Sequence, residues 1–177
     1  MSSAVLSLPQ EASARLRAAQ TALAIAAAAA LTLGGAWFFQ LVLDIKPCPL
    51  CTEQRYAYYA IVPLALLTAA ARNQRRLMAG GFAIIVLAAL WNAGLGAYHS
   101  GIEWKLWQGP AECSGSVVDL GKAGDLLSRL DSEKIVRCDE VQWRFLGLSL
   151  AGYNVLISLG LAALAAYGAA IAMRLRR

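Results

Sequence analysis

Charge is scarce in this chain. Asp, Glu, Lys and Arg make up 15% of its 177 residues, where about 25% is usual in a soluble domain. Histidine occurs once, at position 99. The basic residues form no long run and no stripe, so the net charge of +5 lacks the footprint of a nucleic-acid binder. The polar composition of a disordered chain is missing too. Apolar residues reach 59% and mean hydropathy is +0.53, far too much apolar surface to leave in water. A soluble domain of this size has too little interior to hide it. The class left is an integral membrane protein.

Alternation of apolar and polar residues over short stretches is also lacking, which argues against a membrane β-barrel. Four continuous apolar runs stand in its place, at residues 21–43, 56–71, 77–98 and 145–173. A crossing helix needs about 20 such residues. The first, third and fourth runs qualify. The second, which contains Pro63, reaches that length if its helix begins near Cys51. The expected fold is all-α: a four-helix integral-membrane bundle forming a single domain over residues 1–177. The spans fall near 21–43, 53–71, 77–98 and 145–173, with outer loops at 44–52 and 99–144. Gly34, Gly35, Gly80, Gly81, Gly147, Gly152 and Gly160 are expected to let the helices approach closely. Arg15 and Arg17 ahead of an Ala-rich run resemble a secretory leader. That run exceeds the usual core of about 7–15 residues, so a retained helix is expected.

With four spans, the chain ends and the 72–76 link share one side. That side holds Arg15, Arg17, Arg72, Arg75, Arg76, Arg174, Arg176 and Arg177. The other side holds as many basic residues, but spread thinly through longer loops. Density beside helix ends sets orientation, so both termini are expected in the cytoplasm and both long loops outside. All four cysteines fall in the outward loops. Disulfides persist in the periplasm or extracellular space and are rare in the cytosol. Charge and cysteine placement therefore agree.

Cys48 and Cys51 form a C-x-x-C, and Cys113 and Cys138 form a second, widely spaced pair. A bridge across C-x-x-C closes a very small loop and restrains the unfolded chain little. Such pairs are more often redox-active, with a lowered thiol pKa. A structural zinc site would call for a second knuckle, which the spacing lacks, so no metal centre is expected. Thr52 after Cys51 excludes haem attachment at this motif, which needs histidine there. Two structural staples remain the bland alternative, with the chain a small transport or scaffold protein.

Arg55 follows Cys51 by one helical turn, on the same face. Its guanidinium is suited to stabilise a Cys51 thiolate, or else it is an arginine snorkelling at a helix end. Glu53 and Gln54 carry no independent signal. His99 closes the third run beside Tyr98 and reads as an interfacial polar anchor. Trp37, Tyr56, Tyr58, Tyr59, Trp104, Trp107 and Trp143 fit an aromatic belt, and some of them could flank a planar ligand. Residues 119–130 can form a short amphipathic helix on the membrane surface.

Taken together, CPLCTEQR, YHSGIEW followed by GPAECSG, and CDEVQWRFLGLSLAGYN resemble the disulfide bond formation protein B (DsbB) family, over about residues 25–172. The dipeptide inside C-x-x-C is Pro-Leu here, at a point where that family varies. Gln54 replaces an acidic residue often found before the arginine. The resemblance implies a quinone-dependent protein-thiol oxidoreductase of the bacterial inner membrane. It would reoxidise a periplasmic, thioredoxin-fold partner of the DsbA type and pass electrons to ubiquinone or menaquinone. Cys113 and Cys138 match the pair that exchanges with the partner, Cys113 forming the mixed disulfide. Cys48 and Cys51 match the pair that reduces the quinone, with Cys51 nearest to it. Cys48 and Cys138 would join in an interloop intermediate. Arg55 matches the arginine supporting the quinone site, and His99 a position near the ring. DsbA is a strong oxidant at roughly −120 mV, so a lipid-soluble quinone is a fitting sink. A reductase of the vitamin K epoxide type is the nearest alternative chemistry.

Overall fold

The computed structural model describes residues 2–110, 113 and 136–175. The expected surface helix at 119–130 lies outside them. Four long helices pack together: α1 (Ser2–Leu41), α2 (Pro49–Ala70), α3 (Arg75–Glu103) and α4 (Leu150–Arg174). A single 3-10 turn at Ala71–Asn73 joins α2 to α3. A two-stranded antiparallel ribbon, β1 (Arg144–Phe145) and β2 (Leu148–Ser149), leads into α4. Among the described residues three helices are long and apolar enough to cross a membrane: Pro9–Leu41, Arg75–Glu103 and Leu150–Arg174. The 22 residues of α2 would span about 33 Å at 1.5 Å each. Its first two turns are polar, however, with Glu53, Gln54 and Arg55.

Sequence pattern explains how the helices associate. Ala18, Ala22, Ile25, Ala26 and Ala29 are buried at the spacing of one helical face, so α1 presents a smooth stripe. Ile61, Met78, Phe82, Ile85 and Leu161 fill the space opposite it. Leu31, Leu87 and Trp91 point outward, each more than two-thirds exposed at 76%, 68% and 72%. Bulky apolar groups so exposed on long apolar helices fit contact with lipid.

The close approaches match the expected glycines only in part: Gly81 does bring α3 against α2, where a Cβ would collide with Thr68. A Cβ on Gly34, Gly35, Gly80 or Gly160 would meet nothing within 4 Å. An unexpected approach is made by Gly96, where a Cβ would stand 2.9 Å from Asn154 Nδ2 and 3.3 Å from the Ala151 carbonyl. Gly147 serves a turn instead: with Leu146 it adopts positive φ, 82° and 48°, the pattern of a two-residue primed hairpin turn. That turn holds back the start of α4 to Leu150, five residues after the apolar run opens. Ser149 Oγ caps the helix by accepting from the Gly152 N–H at 3.2 Å. At the other extreme α3 continues through His99 to Glu103.

The two ends of the bundle are chemically distinct. At one, Arg15 donates to the Arg72 carbonyl at 3.2 Å, and Arg75 to the Met173 carbonyl at 2.8 Å. At the other, a small second core gathers Cys48, Leu50, Ile102, Cys113 and Cys138.

Candidate redox site at the cysteine end of the bundle

The start of α2 builds the first part of the site. Pro49 occupies the first helical turn, where its missing N–H costs nothing. Cys48 is the N-cap, its Sγ accepting from the Cys51 N–H at 3.2 Å. The same Sγ donates to Cys51 Sγ at 2.6 Å, and both cysteines are free thiols. Both stand ahead of residue 53, in the loop and first helical turn. Their acidities diverge. Cys48 is pushed far above the ordinary thiol range, first by its hydrogen bond to Cys51 and then by burial. Cys51 is lowered, first because it accepts that bond and then by a hydrogen bond from the Cys48 backbone, which together outweigh the opposing effect of burial. Within the pair Cys48 holds its proton the more firmly, and Cys51 is the more acidic thiol.

Arg55 acts on Cys51 less than its spacing suggests. Its charge lowers the Cys51 pKa, but as the smallest of the contributions. The guanidinium is engaged by α1: it donates to Gln40 Oε1 at 2.6 Å and to the Ala36 carbonyl at 3.2 Å. It also lies 5.6 Å from the Trp37 ring centroid, a cation–π distance.

His99 proves to be an interior group rather than an interfacial anchor. It is 3% exposed, and its Nε2 lies 3.7 Å from Cys48 Sγ. Gln54 Nε2 approaches His99 Nδ1 at 3.0 Å, and Glu103 Oε1 is 4.0 Å from His99 Nε2. Ser149 Oγ in turn donates to Glu103. Sequence reasoning misses Gln54 and Glu103 as members of the site. Gln54 lies six residues from Cys48, and Glu103 one turn beyond His99, but neither position looks unusual in isolation.

The second cysteine pair is a disulfide, Cys113–Cys138. The Cys138 N–H donates to the Cys113 carbonyl at 3.2 Å, which ties the two strands of chain together. Cys48 Sγ, a ring nitrogen of His99 and Cys138 Sγ all lie within 4.8 Å of one another, and all three residues are buried. The fold therefore brings together Cys48, Cys51, His99, Cys138 and, through the disulfide, Cys113.

These groups border a cavity of about 380 Å³, within the usual size range of small-molecule sites. Cys48, Cys51, Gln54, Arg55, His99 and Glu103 are among its polar lining residues. Phe39, Trp143, Phe145 and Tyr153 supply aromatic walls, with Trp143 centred 4.9 Å from Phe39 and 5.9 Å from Phe145. Trp143 is thus part of the cavity wall. Tyr58 departs from the expected belt altogether. It is 3% exposed, and its hydroxyl donates to Asn154 Oδ1 at 2.6 Å. Asn92 Nδ2 donates to Asn154 Oδ1 and to Ser158 Oγ, each at 3.1 Å. This interior polar network links α2, α3 and α4, and its Tyr58 and Asn154 themselves border the cavity. Trp37, Tyr56, Tyr59, Trp104 and Trp107 do remain exposed, in keeping with a belt.

Residues 18–168 match the family model described as disulfide bond formation protein DsbB. The chain is similar to "Disulfide bond formation protein B" of Nitrosospira multiformis, 31% identical over 82% of this chain and 87% of that relative. The protein of the same name from Aromatoleum aromaticum is 32% identical over 70% of this chain and 75% of its own. That of Polaromonas sp. is 29% identical over 71% and 74% respectively.

Proposed function

Because the chain belongs to the DsbB family, and is therefore a multi-pass membrane protein with a part in disulfide bond formation, we propose that it is a quinone-dependent protein-thiol oxidoreductase. In this reading it reoxidises a periplasmic, DsbA-type dithiol partner at Cys113–Cys138 and delivers the electrons at Cys48 and Cys51 to ubiquinone or menaquinone. One observation carries the reading. Cys48 Sγ stands between the two redox pairs, 2.6 Å from Cys51 Sγ and within 4.8 Å of Cys138 Sγ. Two structural staples would have no use for that proximity, nor for a free C-x-x-C.

The cavity residues suit a quinone. Aromatic walls match a planar ring, and Arg55 and His99 offer hydrogen-bond donors for its carbonyl oxygens beside Cys51. When bound, the quinone accepts two electrons and two protons, and Cys48 and Cys51 become a disulfide. The partner's thiolate then attacks Cys113 Sγ, forming a mixed disulfide and releasing the Cys138 thiolate. Cys138 attacks Cys48 Sγ, displacing the Cys51 thiolate and closing the interloop bond. The partner's second thiol resolves the mixed disulfide and leaves oxidised, and Cys113 regains Cys138, releasing Cys48. The net change converts the partner's dithiol to a disulfide and the Cys48–Cys51 disulfide to two thiols. In this cycle, free Cys48 and Cys51 beside a Cys113–Cys138 bond would be the form that reacts with the quinone.

Helix α2 serves as the fourth span. The arginine end of the bundle is cytoplasmic with both termini, the cysteine end faces the periplasm, and the membrane is the bacterial inner membrane. The deciding experiment incubates the purified chain with a reduced DsbA-type protein, with and without added quinone. Oxidation that is catalytic only with quinone is expected. Equal turnover without quinone would overturn the assignment.

A further inference from the structure

The sulfurs and imidazole that meet at the head of α2 form a ligand set as well as a redox relay. Tetrahedral zinc, with bonds of about 2.3 Å to sulfur and about 2.05 Å to nitrogen, holds its sulfur and nitrogen ligands about 3.6 Å apart. Cys48 Sγ and His99 Nε2 are separated by 3.7 Å. Cys138 Sγ completes a triangle with every side within 4.8 Å. The exposures are 2%, 3% and 1% for Cys48, His99 and Cys138, so the groups are already desolvated and positioned. Cys51 Sγ, hydrogen-bonded to Cys48 Sγ at 2.6 Å, lies outside this triangle and would turn toward it to supply the fourth ligand. C-x-x-C at a helix start is itself a common half of a zinc site. The missing half is absent from the local spacing, yet the fold supplies it from α3 and from the loop at Cys138. Cys48 and His99 border the cavity, which provides the entry path that a buried metal site needs.

We propose that the fully reduced chain binds a thiophilic divalent cation, zinc, through Cys48, Cys51, His99 and Cys138. Reduction opens the site. A dithiol gives two electrons and two protons to the Cys113–Cys138 bond, becoming a disulfide itself, and Cys138 becomes a thiol. The cation then displaces the thiol protons of Cys48 and Cys138, and the thiolates coordinate it. Gln54 controls the imidazole. As it stands, Gln54 Nε2 donates to His99 Nδ1, which places the ring proton on Nε2. Turning the amide over lets Gln54 Oε1 accept from Nδ1–H and frees the Nε2 lone pair for the metal, the usual support of a ligating histidine. Bound zinc occupies the sulfurs that would otherwise exchange, so the metal holds the reduced chain out of any thiol–disulfide cycle. The ligand geometry requires neither a quinone nor a partner protein.

The test uses the full chain in detergent micelles, reduced with a phosphine, which carries off oxygen from water as the disulfide opens. Cobalt(II) is titrated as a coloured stand-in, then displaced by zinc, while proton release is followed. Reduced wild type is expected to show thiolate-to-cobalt charge-transfer bands and tetrahedral visible bands, and the oxidised chain neither. Cys113→Ser and Cys138→Ser both remove the same disulfide, but only the second removes a ligand. Reduced Cys113→Ser should bind like reduced wild type, and Cys138→Ser about 100-fold more weakly. His99→Ala should lose a similar factor, and Gln54→Leu about tenfold, as supporting groups around a metal do. No cobalt bands in the reduced chain would overturn the proposal. So would equal binding by Cys113→Ser and Cys138→Ser, whether both bind or neither does. Because the readout is metal binding, these results leave the quinone assignment to its own experiment.

Discussion

Arg55 reaches across from α2 to α1, where its Nη1 donates to Gln40 Oε1 at 2.6 Å. The bond orients the guanidinium along the cavity wall instead of pairing it with Cys51. A charge held there serves whatever binds in the cavity more than it serves the thiolate one turn away.

Arg55→Ala is accordingly expected to raise the apparent KM for quinone about tenfold, the loss of one hydrogen bond from a charged group. Formation of the Cys113–partner mixed disulfide should be almost unchanged. Arg55→Lys should recover only part of the loss, because it keeps the charge and forfeits the planar fork. Steady-state oxidation across quinone concentrations checks this. A wild-type quinone dependence in Arg55→Ala would reduce Arg55 to a tie between α1 and α2.

Cys113→Ser should abolish oxidation of the partner while leaving Cys48 and Cys51 oxidisable by quinone. Thiol counting before and after quinone addition separates the two half-reactions. Full turnover of the partner by this variant would show that exchange begins elsewhere.

The divided acidities of the C-x-x-C pair predict selective alkylation. In the reduced chain without quinone, iodoacetamide should label Cys51 and spare Cys48. Cys51 is lowered, so its thiolate persists as pH falls below the ordinary thiol range of about 8.5. The Cys51 rate should therefore level off below that range and decline only at lower pH. Peptide mapping of labelling against pH is the measurement, and equal labelling of both cysteines would refute the divided acidities.

Orientation is open to reporter fusions. Alkaline phosphatase joined after Arg75 should be inactive, and joined after Gly109 active, if the arginine end is cytoplasmic. The opposite pattern would reverse the whole assignment of sides.

Gly96 should tolerate no side chain. Gly96→Val would push a Cβ against Asn154 Nδ2 and the Ala151 carbonyl, and overpacking of this kind costs about 1–3 kcal/mol. Gly94→Ala, two residues away with open space around its position, should be neutral or stabilising by up to about 1 kcal/mol from helix propensity. Thermal unfolding in detergent compares the two, and equal destabilisation would contradict the α3–α4 crossing described above.

Features that depend on neighbours along the chain are legible in the sequence itself. Continuous apolar runs announce long helices because a rise of about 1.5 Å per residue converts length directly into reach. The C-x-x-C beside Pro49 announces a reactive helix start, since cap, proline and thiol lie within four residues. Arginines crowded at run ends mark one end of the bundle, where Arg15 and Arg75 bind backbone carbonyls of other segments.

What crosses the chain is decided only by packing. Cys48 and Cys138 are ninety residues apart in sequence, and no local pattern carries the information that their sulfurs lie within 4.8 Å. His99 reads as interfacial because it ends an apolar run, yet α3 continues to Glu103 and carries the ring inward against Cys48. Tyr58 reads as a belt residue among Tyr56 and Tyr59. The 3.6-residue turn puts it on the opposite face, where Asn154 and Ser158 take its hydroxyl. Glycine content does not say which glycines matter, because close approach at Gly96 depends on what α4 sets opposite it. Composition and spacing thus determine that this is a helical membrane protein with paired cysteines at one end. The angle and depth at which four helices meet determine which side chains share a cavity, because buried polar groups are mostly hydrogen-bonded and Tyr58, Asn92 and Asn154 find their partners on other helices.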